Sequence, residues 1–320
     1  MLTDLLSQQE RETLTQSLPV GQIPLWQYWP EFVEKYLRTG KSEVTVSGVR
    51  DGLLFMMRKL NILTLEDFNN PRLFEDKLFA YKEEHHISAN TFNSYRKYAN
   101  TFGIWLEMME YIKENRIKKV QKCKVEWKEH LTLDYEQVRQ VVGQMHDRKH
   151  ASKLERLRNV FLIDLIRYTG ARPCEIIGIK VQDITKKNGM TILAIQGRKQ
   201  KGRIRYYSFC EYLQDSYEAY MEVRGTYRKN EEKLLISMSR HEMGLTLEGI
   251  KYLFNRISKE LGFRITPYSF RRYVATHLYE QDMPLQKISD YLGHHRVTTT
   301  LRYIERTCAL TKDCSKIMGM

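Results

Sequence analysis

Four side chains along the sequence have the chemistry to act on a phosphate group. Arg172 and Arg271 carry guanidinium groups that stay charged and can bond two oxygens at once. His294 follows Arg271 by 23 positions, and Tyr303 follows His294 by nine. A tyrosine hydroxyl that attacks a phosphorus atom in line leaves a covalent phospho-enzyme and conserves the energy of the phosphodiester bond. These four residues are therefore candidates for phosphate chemistry.

Cutting a nucleic-acid strand without hydrolysis places two further demands on such a site. Positive groups must meet the charge that develops on the non-bridging oxygens, and the two arginines suit that task. A general acid must protonate the leaving 5′ hydroxyl, which is otherwise a poor leaving group. Preorganised groups of this kind need no metal, and the nine histidines show no metal-ligand spacing. The sequence predicts neither a metal nor another cofactor.

The motifs around these residues carry a family resemblance. Arg172 lies in Thr-Gly-Ala-Arg, Arg271 in Tyr-Ser-Phe-Arg-Arg and His294 in Leu-Gly-His, and a basic turn at 197–203 lies between the two arginines. Each residue alone is more simply explained as a surface, ion-paired or packing side chain. All of them in this order, with a tyrosine nine residues later, resemble the catalytic signature of the tyrosine recombinases, also called the phage integrase family.

The resemblance implies a role for each matching residue. Arg172 and Arg271 would clamp the scissile phosphate, and Glu175 would support the site beside the first arginine. His294 would bond the same phosphate or assist the nucleophile. Tyr303 would be the nucleophile and form a 3′-phosphotyrosine.

The catalytic lysine of the family comes from a β-hairpin, which the turn at 197–203 matches. Lys199 and Lys201 are both candidates, and Arg198 occupies one place where a simple alignment would put the lysine. We favour Lys199.

Two positions depart from the family pattern. Tyr268 and Arg272, on either side of Arg271, stand where histidine is usual or common. Tyrosine can donate a hydrogen bond to a phosphate oxygen, but it cannot accept a proton at neutral pH as imidazole can. These departures are the support for one alternative, a non-catalytic DNA-binding relative, against which the intact Tyr303 argues. A type IB topoisomerase, which shares the chemistry, is the other alternative.

The charge balance favours a polyanionic partner. The 320 residues include 52 Lys+Arg against 39 Asp+Glu, a net charge of +13. A polyanionic partner is the simplest explanation and nucleic acid the commonest such partner, with basic charge for solubility alone as the alternative. The five cysteines contain no Cys-x-x-Cys pair, so we expect reduced thiols. No apolar run reaches the ~18 residues of a membrane span, and the start lacks a basic signal-peptide region, so we expect a cytoplasmic protein.

Hydrophobic periodicity predicts a mostly helical chain with a small antiparallel β-sheet near its C-terminal end. Strands are expected at 191–196 and 204–209, and later helices at 211–225, 247–261, 267–281 and 285–292. The resemblance implies a two-domain, C-shaped DNA clamp. We predict an N-terminal extension (1–22), a helical core-binding domain (23–116), a basic linker (117–130), a catalytic domain (131–306) and a tail that docks in cis or trans (307–320).

Several residues are candidates for DNA contact outside the catalytic set. The helix at 88–107 carries short polar and basic groups on one face, although for this helix alone a solvated face is the better explanation. The linker and the basic turn are dense in lysine and arginine, which could neutralise phosphates. The candidates are Asn90, Lys97, Lys118, Lys119, Lys201, Arg203 and Arg272.

These expectations together describe a site-specific recombinase that acts on double-stranded DNA. The family implies a homodimer on each site and a homotetramer in the synapse, with room for an accessory DNA-bending or directionality factor. We favour the integrase of a mobile element over Xer-like dimer resolution, because the departures at Tyr268 and Arg272 look unlike a housekeeping enzyme.

Overall fold

The computed structural model describes residues 5–16, 18, 22–40, 42–126, 132–147, 152–197, 203–227, 232–238 and 244–304. The chain divides into two compact units, Met1–Lys128 and Glu129–Met320. Each unit has its own apolar core. Among these residues, none of the helices combines the length and apolar character that a membrane crossing requires.

The first unit is helical. Its core contains a group of aromatic rings in mutual contact, among them Phe32, Phe102 and Trp105. Side-chain caps set the starts of its three longest helices: Ser42, Asn70 and Ser88 each accept a bond from a backbone N–H three residues on. The helices are α1 (Gln8–Gln16), α2 (Trp29–Arg38), α3 (Glu43–Leu60), α4 (Leu65–Phe68), α5 (Pro71–His85) and α6 (Ala89–Met108), with 3-10 turns at Leu25–Tyr28 and Arg116–Lys119.

The N-terminal segment packs on this unit. Leu5 and Leu6 are buried in its core, although the sequence carries no periodic pattern before residue 24. The carboxylate of Glu10, in α1, forms an ion pair with Arg58 of α3. The segment predicted as an extension therefore contributes side chains to the core of the unit.

The beginning of the segment predicted as a linker also packs on the first unit. Ile117 and Val120 are buried in its core. Arg96 of α6 donates hydrogen bonds to the carbonyls of Val120 and Lys118. The two apolar residues lie three apart around a 3-10 turn. One such pair among so many lysines is too little to show as helical periodicity.

The second unit is built around one central helix. Its helices are α7 (Tyr135–His146), α8 (Lys153–Thr169), α9 (Pro173–Ile176), α10 (Glu211–Tyr227), α11 (Leu247–Leu261), α12 (Pro267–Glu280), α13 (Leu285–Leu292) and α14 (Val297–Leu301), with a 3-10 turn at Val181–Asp183. Helix α8 is buried on most sides, and α7, α10 and α12 pack against it. Every residue from Arg158 to Ile166 is buried, as expected of a helix in the interior of the unit.

Three antiparallel strands, β1 (Ile184–Lys187), β2 (Met190–Gln196) and β3 (Ile204–Ser208), form the sheet in that order. Ile195 of β2 is the register partner of Arg205 of β3. Strand β1 has no counterpart in the expectations, because its four residues include three polar ones. The mostly helical fold with a small antiparallel sheet confirms the predicted fold class.

Candidate active site

The Thr-Gly-Ala-Arg motif forms the turn between α8 and α9. Gly170 ends α8 in a left-handed conformation, with φ at 57°. A Cβ atom there would lie 2.5 Å from Cδ2 of Leu292, so the close approach of α13 requires glycine. The turn places Arg172 at the start of α9, and the carbonyl of Gly170 accepts a 2.6 Å bond from Nη1 of Arg271.

Glu175 holds two guanidinium groups. Its Oε1 accepts a 2.9 Å bond from Arg172 Nη1, and its Oε2 accepts a 2.7 Å bond from Arg205 Nη2. The backbone N–H of Arg172 donates to Oε2 at 2.9 Å. Burial alone would raise the pKa of Glu175, but the charges of Arg205 and Arg172, with these hydrogen bonds, lower it below its ordinary value. Glu175 is therefore an ionised, buried anchor.

Arg271 is completely buried in the second unit. Its Nη1 and Nη2 donate to the carbonyls of Gly170 and Leu292, and its buried Nε has no hydrogen-bond partner among the described residues. Burial, followed by the charge of Arg172, lowers its pKa to about 10. Arg271 therefore remains a cation at neutral pH, with one N–H unsatisfied.

His294 is positioned by the end of α13. Gly293 closes that helix in a left-handed conformation, and the His294 N–H donates to Ser289 O at 2.8 Å. The imidazole is buried, and its Nδ1 lies 2.8 Å from Oγ1 of Thr300. Burial, with the charges of Arg271 and Arg172, lowers the His294 pKa to about 3. The ring is therefore neutral, and its buried Nε2 has no partner among the described residues.

Tyr303 follows α14 and is half-buried. Its N–H donates to Thr300 O at 2.9 Å, and its own carbonyl accepts a 3.3 Å bond from the hydroxyl of Thr276. The Tyr303 ring lies 5.0 Å from the ring of His294 between centroids. Arg271 interacts electrostatically with Arg172 and Tyr303, and His294 with both arginines, so these four residues lie close together.

The two departures from the family pattern lie beside Tyr303. Burial raises the pKa of Tyr268, and the neighbouring Cys174 and Tyr303 raise it further, so Tyr268 is protonated at neutral pH. Burial lowers the pKa of Arg272, while Tyr303 acts to raise it. Tyr268 is 45% exposed, so its burial is only partial, and Arg272 is half-buried.

The other predicted residues are spread over both units. Lys199 and Lys201 lie outside the described residues. Arg203, in the second unit, donates to Asp290 at 3.0 Å. In the first unit Asn90 and Lys97 are exposed on α6, whereas Lys118 and Lys119 pair with Glu114 at 3.3 and 3.4 Å.

Two residues of the site were not predicted from the sequence. Arg205 and Thr300 are buried and bond directly to Glu175 and His294, respectively. Arg205 had a detectable signal, because strand alternation puts it on the buried face with Tyr207. Thr300 had none, since it is one of three consecutive threonines.

Within the described ranges, no group of three or more histidine, cysteine or acidic residues is arranged to hold a metal ion. The cysteines of that part of the chain, Cys123, Cys174 and Cys210, are free thiols.

Known proteins resemble this chain in sequence and in fold. The tyrosine recombinase XerC of Staphylococcus aureus (strain NCTC 8325 / PS 47) is 27% identical over 280 residues, which cover 76% of this chain and 89% of XerC. A lambda integrase tetramer bound to a Holliday junction has a similar fold, with a TM-score of 0.68 and 16% identity over 93% of this chain and 81% of the other. The Tn1549 transposon integrase in complex with transposon right end DNA also has a similar fold, with a TM-score of 0.67 and 14% identity over 90% of this chain and 98% of the integrase chain. The model of the phage integrase family matches residues 132–309, and the chain therefore belongs to that family, the site-specific tyrosine recombinases.

Proposed function

We propose that the protein cuts and rejoins double-stranded DNA at specific sites through a covalent 3′-phosphotyrosine on Tyr303. Two buried nitrogen atoms carry this proposal: Nε of Arg271 and Nε2 of His294 have no hydrogen-bond partner among the described residues. Leaving a buried polar group unsatisfied costs about 1–3 kcal/mol. Other buried nitrogens of the described chain also lack a partner, but these two belong to neighbouring side chains, where one absent ligand could bond both. An anion with several acceptor oxygens, such as a DNA phosphate, suits a cation and a neutral imidazole together.

The residues would divide the work as follows. The phenol oxygen of Tyr303 attacks the phosphorus atom, its proton leaves to water, and the bond to the 5′ oxygen breaks. Arg172 and Arg271 bond the non-bridging oxygens. The 5′ oxygen takes a proton from a lysine of the turn at 197–203, for which we favour Lys199. Attack by a 5′ hydroxyl on the phosphotyrosine then reverses these steps and releases Tyr303.

His294 fits the role of a hydrogen-bond donor to the phosphate better than that of a general base. A pKa of about 3 makes its imidazole a weak proton acceptor in the DNA-free protein. When the Thr300 hydroxyl donates to Nδ1, the neutral ring carries its hydrogen on Nε2. That hydrogen is then available to a phosphate oxygen.

Around this chemistry we propose the domain organisation of the family. The helical first unit would bind DNA through exposed groups such as Asn90 and Lys97, with residues 117–130 as the connection and 307–320 as a docking tail. Lys118 and Lys119 would exchange Glu114 for phosphates, and Lys201, Arg203 and Arg272 would add contacts beside the catalytic site. The protein would act in the cytoplasm, as a homodimer on each site and a homotetramer in the synapse; the tetrameric lambda integrase supports that assembly.

Two biological roles fit this chemistry. Integration and excision of a mobile element is the first, supported by Tyr268 and Arg272 and by the similarity in fold to the Tn1549 integrase. Xer-like dimer resolution is the second, and the identity with XerC favours it.

Covalent capture tests the proposal. The tagged protein is incubated with sheared genomic DNA of its own host, denatured in SDS, recovered, and the attached DNA is sequenced. We expect adducts with the wild type and with Tyr212→Phe, which alters an exposed tyrosine of α10, but none with Tyr303→Phe.

The captured sequences separate the two roles. Adducts at the ends of a mobile element support integration and excision, whereas adducts at one chromosomal site outside any element support resolution. If DNA binds under native conditions but forms no SDS-resistant adduct with the protein, the result would contradict the proposal and favour a non-catalytic DNA-binding protein.

A further inference from the structure

Strand β3 buries an arginine beside the candidate active site. Arg205 is only 6% exposed, because the alternation of the strand directs it inward together with Tyr207. A buried guanidinium is costly unless its charge is paired and its N–H groups are bonded. Its Nη1 and Nη2 are bonded, whereas its buried Nε has no hydrogen-bond partner among the described residues. The groups that the two bonded nitrogens contact show what Arg205 holds.

The Arg205 guanidinium joins two parts of the site. Its Nη2 donates to Glu175 Oε2 at 2.7 Å. Its Nη1 donates to Leu292 O at 2.8 Å and to the Tyr207 hydroxyl at 3.0 Å. One planar group thus connects the start of α9 with the end of α13.

The contact with Glu175 determines where Arg172 lies. Glu175 uses its other oxygen, Oε1, to accept the 2.9 Å bond from Arg172 Nη1. Because the two arginines hold opposite oxygens of one carboxylate, Arg205 limits the rotation of that carboxylate. The second terminal nitrogen of Arg172 then reaches Gly293 O at 3.2 Å.

The contact with α13 determines where His294 lies. The last carbonyls of a helix lack intrahelical partners and carry partial negative charge, which cations stabilise. Arg205 and Arg271 both donate to Leu292 O, and the next carbonyl, that of Gly293, accepts from Arg172. A Cβ atom on Gly293 would lie 2.9 Å from Arg205 Nε, so the guanidinium packs directly against the peptide that precedes His294.

From these contacts we propose that Arg205 is a positioning residue, which holds Glu175 and the carbonyl end of α13 together and thereby sets Arg172 and His294 around the scissile phosphate. The proposal rests on the proposed function, because it concerns the cleavage step. Arg205 itself touches no reacting atom; it acts through Arg172 and His294.

The test compares Arg205→Met with a matched control. Arg158→Met also removes a buried arginine of the second unit, 7% exposed, whose bonds go to Asn159 and Ile236. The probe is a nicked duplex carrying a sequence captured by the wild type, and the rate of adduct formation is measured at saturating protein. A second duplex carries a methylphosphonate at the scissile position, which has one less negative charge and needs less help from Arg172.

We expect Arg205→Met to slow adduct formation on the normal duplex about 100-fold, the scale of a misplaced reacting group. DNA affinity should change little, and the loss should be clearly smaller on the methylphosphonate duplex. Arg205→Lys, which keeps the charge but reaches fewer acceptors, should recover part of the rate. Arg158→Met should cleave both duplexes at close to the wild-type rate.

Two outcomes would overturn the inference alone. One is an active wild type with an equally active Arg205→Met. The other is a loss that is the same on both duplexes and matched by Arg158→Met, as a general loss of structure would give. Absence of any adduct with the wild type would instead overturn the proposed function, and the inference with it.

Discussion

The imidazole ring of His294 and the phenol ring of Tyr303 lie 5.0 Å apart between centroids, at an interplanar angle of 59°. Thr300 connects them from α14. Its hydroxyl lies 2.8 Å from His294 Nδ1, and its carbonyl accepts a 2.9 Å bond from the Tyr303 N–H. One short helix thus orients both the histidine and the candidate nucleophile.

Replacing Thr300 by valine keeps its shape and removes the hydroxyl. Nδ1 of His294 would then be buried without a partner, which costs about 1–3 kcal/mol of stability. We expect adduct formation to slow about 10-fold, because the imidazole is no longer held in one tautomer and one orientation. Thr298→Val, at an exposed site on the same helix, is the control for stability and rate. Equal behaviour of the two variants would refute the role of the hydroxyl.

The depressed pKa of His294 predicts how stability depends on pH. Unfolded, this histidine binds a proton near pH 6.5; folded, it does so near pH 3. Between these values the unfolded state binds the extra proton, so stability from this residue is present above about pH 6.5 and is lost as pH falls. From pH 7.5 to 5.5 the free energy of unfolding should fall about 1 kcal/mol more in the wild type than in His294→Gln. A titration midpoint near pH 6.5 for His294 in the folded protein, measured by NMR, would contradict this prediction.

Glu175 should matter for stability as well as for catalysis. Glu175→Gln leaves two guanidinium groups beside an uncharged amide, and breaking a buried pair of this kind lowers the free energy of unfolding by about 3 kcal/mol. The control is Glu232→Gln, which removes an exposed partner of Lys180 at 2.9 Å and should change stability little. Urea unfolding of the two variants measures the difference. Similar midpoints would show that Glu175 is not an anchor.

Substitution of Gly293 should disturb the packing of Arg205 as well as strain the backbone. Gly293→Ala places an L-residue at φ of 64°, which costs about 1–2 kcal/mol, and drives its Cβ against Arg205. Gly189→Ala, at φ of 74° in open space between β1 and β2, has the same backbone cost without a neighbour. We expect similar backbone losses in both, with slowed adduct formation only in Gly293→Ala. A Gly293→Ala protein that cleaves at the wild-type rate would contradict the packing of Arg205 on this peptide.

The residue types and their order along the chain were enough to select the catalytic candidates, and short local motifs set the backbone around two of them. Gly170 and Gly293 each end a helix in a left-handed turn, and the next few residues place Arg172 and His294. Strands β2 and β3 and helices α10 to α13 also follow from periodicity, with ends that differ by at most two residues.

Other features depend on distant partners and could not be predicted in the same way. The role of Arg205 requires Glu175 and Leu292, 30 and 87 positions away. The burial of Leu5 and Ile117 requires the assembled core of the first unit. No local pattern in the sequence encodes such long-range pairings.

The most direct test of the account is to identify the residue that carries the DNA. The covalent adduct is digested with nuclease and trypsin, and the peptide bearing a 3′-linked nucleotide is sequenced by mass spectrometry. Tyr303 falls in the peptide 303–306, and Tyr268, an exposed tyrosine beside the site, falls in the peptide 265–271. The account predicts the nucleotide on Tyr303, and a nucleotide on Tyr268 or on any other residue would contradict it.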